Sequence, residues 1–92
     1  MHKDVHNLYG LLDSIYTYSA LKSLQKDLPF ILSRSTFPGS GKYAFHWTGD
    51  NASTFKFLKI SVPGLVLFNF FGIPFSGADI CGFLERTNNE LC

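Results

Sequence analysis

Three short apolar runs, each trailed within a few residues by a charged side chain, limit how this chain can fold. Pro29-Phe30-Ile31-Leu32-Ser33 leads to Arg34, Tyr43-Ala44-Phe45-His46-Trp47-Thr48 to Asp50, and Ile73-Pro74-Phe75-Ser76 to Asp79. Continuous apolar runs of this length, without strict alternation, suit strands covered on both faces, as in a parallel sheet. Ahead of the first run, Leu8, Leu11, Ile15, Tyr18, Leu21 and Leu24 recur in steps of three and four, which predicts a helix from Asn7 to about Gln25 with one apolar face. Asn7 is a candidate N-cap, and Gly10 weakens the first turn by about 1 kcal/mol relative to Ala, so the regular helix is expected to start after it. Pro29 marks its end.

Between the second and third runs lies Phe55–Phe71, a strongly apolar helix candidate in which Pro63 and Gly64 are expected to kink or interrupt the helix. Asp50, Asn51, Ser53 and Thr54 all offer capping side chains at its start. Pro38, Gly39, Ser40 and Gly41 make residues 36–42 a loop. The order is therefore helix, strand, long loop, strand, helix, strand, an α/β pattern. A barrel of eight strand-helix units places working side chains after its strands, but the loop between the first two strands is short for a full crossover helix. Spacing alone leaves barrel and open sheet as alternatives.

The 92 residues allow one domain at most. Ten Phe, four Tyr and one Trp stand against only 16% charged residues, where soluble domains carry roughly 25%. A small domain keeps much of its surface in water, so this shortage of charge suggests that part of the surface belongs against something else. A net charge of +1 with no basic run leaves no electrostatic footprint for a nucleic-acid partner. The first residues have no apolar core and do not read as a signal peptide. The longest apolar stretch, 62–75, is broken by Pro63, Gly64, Asn69, Gly72 and Pro74 and falls short of the roughly 20 residues of a spanning helix. Cys81 and Cys92 close a short loop if paired, which two cysteines alone leave open.

Asp50 follows His46-Trp47-Thr48-Gly49. As a helix N-cap it needs no further explanation. As a general acid it needs burial or a neighbouring negative charge so that it keeps its proton near neutral pH, and Trp47 would supply apolar cover. Arg34 reads as an ordinary ion-pair partner, or as a fork that holds vicinal hydroxyls or a carboxylate. Asp79, between Ala78 and Ile80, is costly to desolvate unless paired or bound to ligand. His2 and His6 can share a helix face, but two imidazoles are too few to predict a metal site. No phosphate-binding Gly-rich loop, Cys-x-x-Cys or nucleophile elbow is present, and no cofactor is expected. Asn51-Ala52-Ser53 matches the N-glycosylation sequon, but a glycan beside a working Asp50 would obstruct it, so the sequon is expected to be unused.

The segments Val5-His6-Asn7-Leu8-Tyr9-Gly10, Pro29 to Phe37, Gly39 to Ala44, His46 to Asn51 and Gly77 to Phe83 resemble those of glycoside hydrolase family 31, in particular its α-glucosidases of lysosomal, intestinal and plant kinds. The resemblance runs in order from about Asp4 to Cys92. It implies a partial (β/α)8 TIM barrel, about three strands with intervening helices, in which residues 1–92 are a fragment of the catalytic barrel and not a complete domain. It also implies hydrolysis of terminal α-linked glucose with retention, on an α-glucoside or oligosaccharide substrate.

By the same resemblance Asp50 is the general acid/base, Arg34 and Asp79 bond the hydroxyls of the non-reducing glucose, Trp47 walls that subsite and Phe83 borders the next. Cys81 and Cys92 match a pair that is bonded in secreted and lysosomal relatives, and a secretory, lysosomal or vacuolar setting follows. The departures are as informative. The aspartate nucleophile, in a Trp-x-Asp-Met-Asn motif ahead of the His-Asn-Leu-Tyr-Gly segment, and a substrate-binding His beyond the second Cys are not in these residues, so the remaining barrel segments are expected as partners. The other reading is a truncated, inactive product. Phe45 also replaces a small residue usual before the His-Trp pair, and residues 55–57 are more apolar than usual.

Overall fold

In a computed structural model describing residues 1–92, the helical start runs further back than the spacing predicts. A short helix α1 (His2–Val5) passes through a 3-10 turn at His6–Leu8 into α2 (Tyr9–Leu24). Asn7 therefore lies inside the helical run and caps nothing, and Gly10 sits within α2 instead of delaying it. The stripe itself is as predicted: Leu8, Leu11, Ile15, Tyr18 and Leu21 are half-buried, with Gly10 half-buried and Ser14 buried beside them, while the other residues of the helix are exposed. Leu24, the last of the series, is exposed. Tyr18 meets Tyr43 edge to face at 5.7 Å, which ties α2 to the segment before the second strand.

The three strands are shorter than the apolar runs and pair in parallel in the order β1 (Leu32–Ser33), β2 (Phe45–Trp47), β3 (Ser76–Gly77). Leu32 lies opposite Phe45, and His46 opposite Ser76. Residues 34–44 join β1 to β2 without a crossover helix, holding only a 3-10 turn at Ser40–Lys42. Strand β3 falls at Ser76–Gly77, whereas the apolar run predicts 73–76. Ladder bonds decide this: Phe75 still bonds His46 N–H through its carbonyl, but Pro74 has no N–H to give.

Helix α3 (Phe55–Phe70) runs unbroken through Pro63, contrary to the expected interruption. A mid-helix Pro costs about 3 kcal/mol. Phe57 and Ser61 before it and Leu65 and Phe68 after it form one half-buried face that continues across the Pro. Thr54 caps the helix, its hydroxyl accepting from Phe57 N–H at 3.3 Å. His46, pointing to the helix side of the sheet, stacks on Phe68 with centroids 3.9 Å apart.

The opposite sheet face carries the rings of Phe30, Phe45 and Phe75 in a row, at 4.9 and 5.0 Å centroid spacings. Phe30 and Phe75 are 72% and 68% exposed. On α3, Leu58, Ile60, Val62, Val66, Leu67 and Phe70 are exposed as well. A helix apolar all round is one that packs on more than one side. The accessible surface is 7074 Å², whereas a compact monomer of 10.3 kDa exposes about 5,400 Å². The radius of gyration, 15.4 Å, exceeds the roughly 12 Å of a compact domain of this length. The shortage of charge in the sequence thus appears in the fold as an open aromatic sheet face and a half-dressed helix.

Candidate functional site

The aromatic sheet face and the segments leaving β2 and β3 line an open concavity of about 770 Å³. Four of the five predicted site residues line it: Trp47 from the end of β2, Asp50 three residues on, and Asp79 and Phe83 from the segment after β3. Parallel strands make this inevitable, since their C-terminal ends lie at one edge of the sheet.

Arg34, the fifth, leaves the end of β1 at the same edge. Its guanidinium lies 5.9 Å over the Trp47 ring, and it packs against Gly49, where any Cβ would collide with the guanidinium. Gly49 also has φ +82°, a conformation that other residues adopt at a cost. Gly49 therefore fits twice over between Trp47 and Asp50, and it leaves Arg34 its place.

None of the three charged residues is neutralised by another. The one ion pair in the molecule joins the Met1 amine and Asp4, at 3.0 Å. The ordinary ion-pair role for Arg34 is therefore not realised, and a cation–π contact takes its place. Asp50 is exposed and does not cap α3, because Thr54 does. Asp79 is half-buried, and its Oδ2 is buried without a hydrogen-bond partner. An unsatisfied buried acceptor costs about 1–3 kcal/mol, more when charged.

His46, on β2 at the cavity wall, is buried, with its ring turned to Phe68 of α3. Its Nδ1 lies 3.2 Å from the Thr36 hydroxyl. Burial holds its pKa below the ordinary 6.5, with hydrogen bonding to the Ser33 backbone working the other way. The ring is thus packed between the sheet and α3, a structural role that no local pattern discloses. His2 and His6 do share a helix face, 2.8 Å apart through Nε2 and Nδ1. Cys81 and Cys92 form a disulfide. The Asn51 amide nitrogen, where a glycan would attach, already donates to the Asp79 carbonyl at 3.1 Å. No helix is long and apolar enough to cross a membrane.

In the sequence Asn51 reads only as a cap or sequon residue. Nothing nearby marks it further, because its partner is Asp79, in the segment beyond β3.

The profile of the family described as glycosyl hydrolases family 31 TIM-barrel domain matches residues 1–92. Lysosomal alpha-glucosidase of Bos taurus is 52% identical over 99% of this chain and 10% of its own length. Alpha-xylosidase 1 of Arabidopsis thaliana is 49% identical over 97% of the chain and 10% of its own length. The crystal structure of a glucosidase II alpha subunit in its alpha3-Glc2-bound form superposes with a TM-score of 0.90 at 40% identity, covering 98% of this chain and 10% of that one. The chain thus spans about a tenth of the length of the relatives it matches.

Proposed function

The chain belongs to glycosyl hydrolase family 31, and on that footing we propose that residues 1–92 are a portion of the catalytic (β/α)8 barrel of a retaining α-glucosidase acting on terminal α-linked glucose. The observation that carries the reading is the meeting of Asp50, Trp47, Asp79 and Phe83 round one cavity, with neither carboxylate held in an ion pair. A sugar presents hydroxyl donors, which unpaired carboxylates accept, and an apolar ring face, which an aromatic side chain covers. Arg34 and Asp79 hold the hydroxyls of the non-reducing glucose, the Trp47 ring packs on the sugar, and Phe83 borders the adjoining subsite. Asp50 donates a proton to the glycosidic oxygen and then takes one from water. The nucleophile that forms the glycosyl-enzyme, about 5 Å from the acid in retaining enzymes, comes from barrel sequence outside these residues. That sequence also covers the open aromatic face. A secretory or lysosomal setting accords with the disulfide and with the lysosomal relative.

The test is a chimera in which residues 1–92 replace the aligned segment of the bovine lysosomal enzyme. Aryl α-glucoside and α-xyloside are both offered, since relatives of both names match. Hydrolysis of the glucoside within about tenfold of the parent is expected, and none from the 92-residue chain alone. A folded chimera without turnover on either glycoside would sink the reading, as would turnover by the lone chain.

The chimera also exposes the His46 linkage. With a folded pKa below 6.5, His46 binds a proton more readily in the unfolded chain, so the stability it contributes is complete above pH 6.5 and declines as pH falls through the folded value. Melting midpoints taken from about pH 7.5 down to about pH 5.5 should fall less in the His46→Gln chimera than in its parent; equal slopes would refute this.

A further inference from the structure

We propose that Asn51 is the positioning residue that fixes Asp79 and Phe83 relative to Asp50. The inference rests on the α-glucosidase reading for the roles of those three residues, and on the structure alone for the latch itself. Asn51 is next in sequence to Asp50, yet it makes its bonds to the segment beyond β3. Its carbonyl accepts from both Phe83 N–H, at 2.8 Å, and Leu84 N–H, at 2.9 Å. Ser53 N–H bonds the Leu84 carbonyl at 2.8 Å, completing a short parallel bridge between Ala52 and Leu84. Gly82, at φ +92°, lies so close to Ser53 that a Cβ would strike its Cα. These are main-chain contacts, and most sequences could make them.

One contact depends on the side chain. The Asn51 Nδ2 donates to the Asp79 carbonyl at 3.1 Å, an oxygen that also closes the turn to Gly82 N–H at 3.1 Å. Reversing the amide would set two oxygens against each other, so the donor assignment follows from the partner. Asn51 thus holds Asp79 by its backbone on one side and Phe83 on the other. Both residues line the cavity into which Asp50 opens.

The Oδ1 of the same amide is buried and has no partner. This gives the latch an unusual signature. Removing the side chain loses one hydrogen bond and also relieves one orphaned acceptor, so folding stability should change little. The place of Asp79, however, is set less firmly, and binding of the sugar should weaken. A residue that merely supports the fold would show the reverse.

The experiment uses the bovine chimera with Asn51→Ala, Asn51→Leu and Asn51→Gln, assayed on maltose. The Ala and Leu variants are expected to raise KM about five- to tenfold, with kcat within about twofold and an unchanged melting midpoint. Asn51→Gln, which keeps the donor, should recover part of the KM. Amide hydrogen exchange at Gly82 and Phe83 should quicken in Ala and Leu, a readout independent of catalysis. Unchanged KM with unchanged exchange overturns the proposal, and so does quicker exchange with KM unmoved. Loss of activity in step with loss of folded protein overturns it too. Were Asp50→Asn to leave turnover intact, the α-glucosidase reading would fail while the exchange data still judged the latch.

Discussion

Asp50→Asn in the bovine chimera is expected to lower kcat/KM for maltose by about 10³-fold, within the range that a positioned general acid supplies. The loss should depend on the leaving group. Glucose departs poorly without a proton, whereas a dinitrophenolate departs unaided, so the variant should form its glycosyl-enzyme from a dinitrophenyl α-glucoside at close to the parent rate. Stability should hardly move. Thr54 makes the helix cap for which Asp50 is the other candidate, and Asp50 has no ion pair to lose. A variant equally slow on both substrates would deny Asp50 the proton-donor role.

Breaking the Cys81–Cys92 bridge is the other large effect. The two cysteines are separated by 11 residues in sequence, and closing so short a loop constrains the unfolded chain by roughly 2–3 kcal/mol in the loop-entropy view. What the bridge holds in place is a segment with little core of its own. Leu91 is buried, and Asn88 ties it down by accepting from Leu91 N–H at 2.9 Å and Cys92 N–H at 3.0 Å, yet residues 83–90 are exposed. Cys81 itself stands at φ +67° next to Gly82. In the Cys92→Ser chimera, local opening should become about 30- to 100-fold more frequent, read as lost exchange protection at Phe83, Leu84 and Ser53. KM for maltose should rise with it, because Asp79 and Phe83 flank the bridge. Unaltered protection at those amides would show that the bridge constrains nothing near the site.

Several features of the fold are legible in the residues themselves. The half-buried stripe of Leu8, Leu11, Ile15, Tyr18 and Leu21 can be read because helical spacing puts the five on one side, and that requires nothing beyond local periodicity. The placing of Arg34, Asp50 and Asp79 at one edge of the sheet is equally available, since parallel strands send their following residues the same way. The errors share a cause. Pro63 and Gly64 predict a kink or an interruption from local backbone chemistry, and the helix is not interrupted there. Apolar runs outline the strands, whereas pairing at Leu32, Phe45 and Ser76 sets their actual extent. Resemblance names the site residues and their roles; geometry supplies their surroundings.

The order of elements, the apolar face of α2 and the scarcity of charge are properties of the chain read locally, and the residues alone carry them. It took the folded arrangement to choose Thr54 over Asp50 as the helix cap and to lay Arg34 on Trp47 in place of an ion pair. The same arrangement left Asp79 Oδ2 buried without a donor and carried the Asn51 amide to a carbonyl 28 residues further on. Each of these depends on strand register and on which surfaces meet. A hydrogen bond forms only when donor and acceptor come within about 3 Å, and no local pattern of residues encodes that approach.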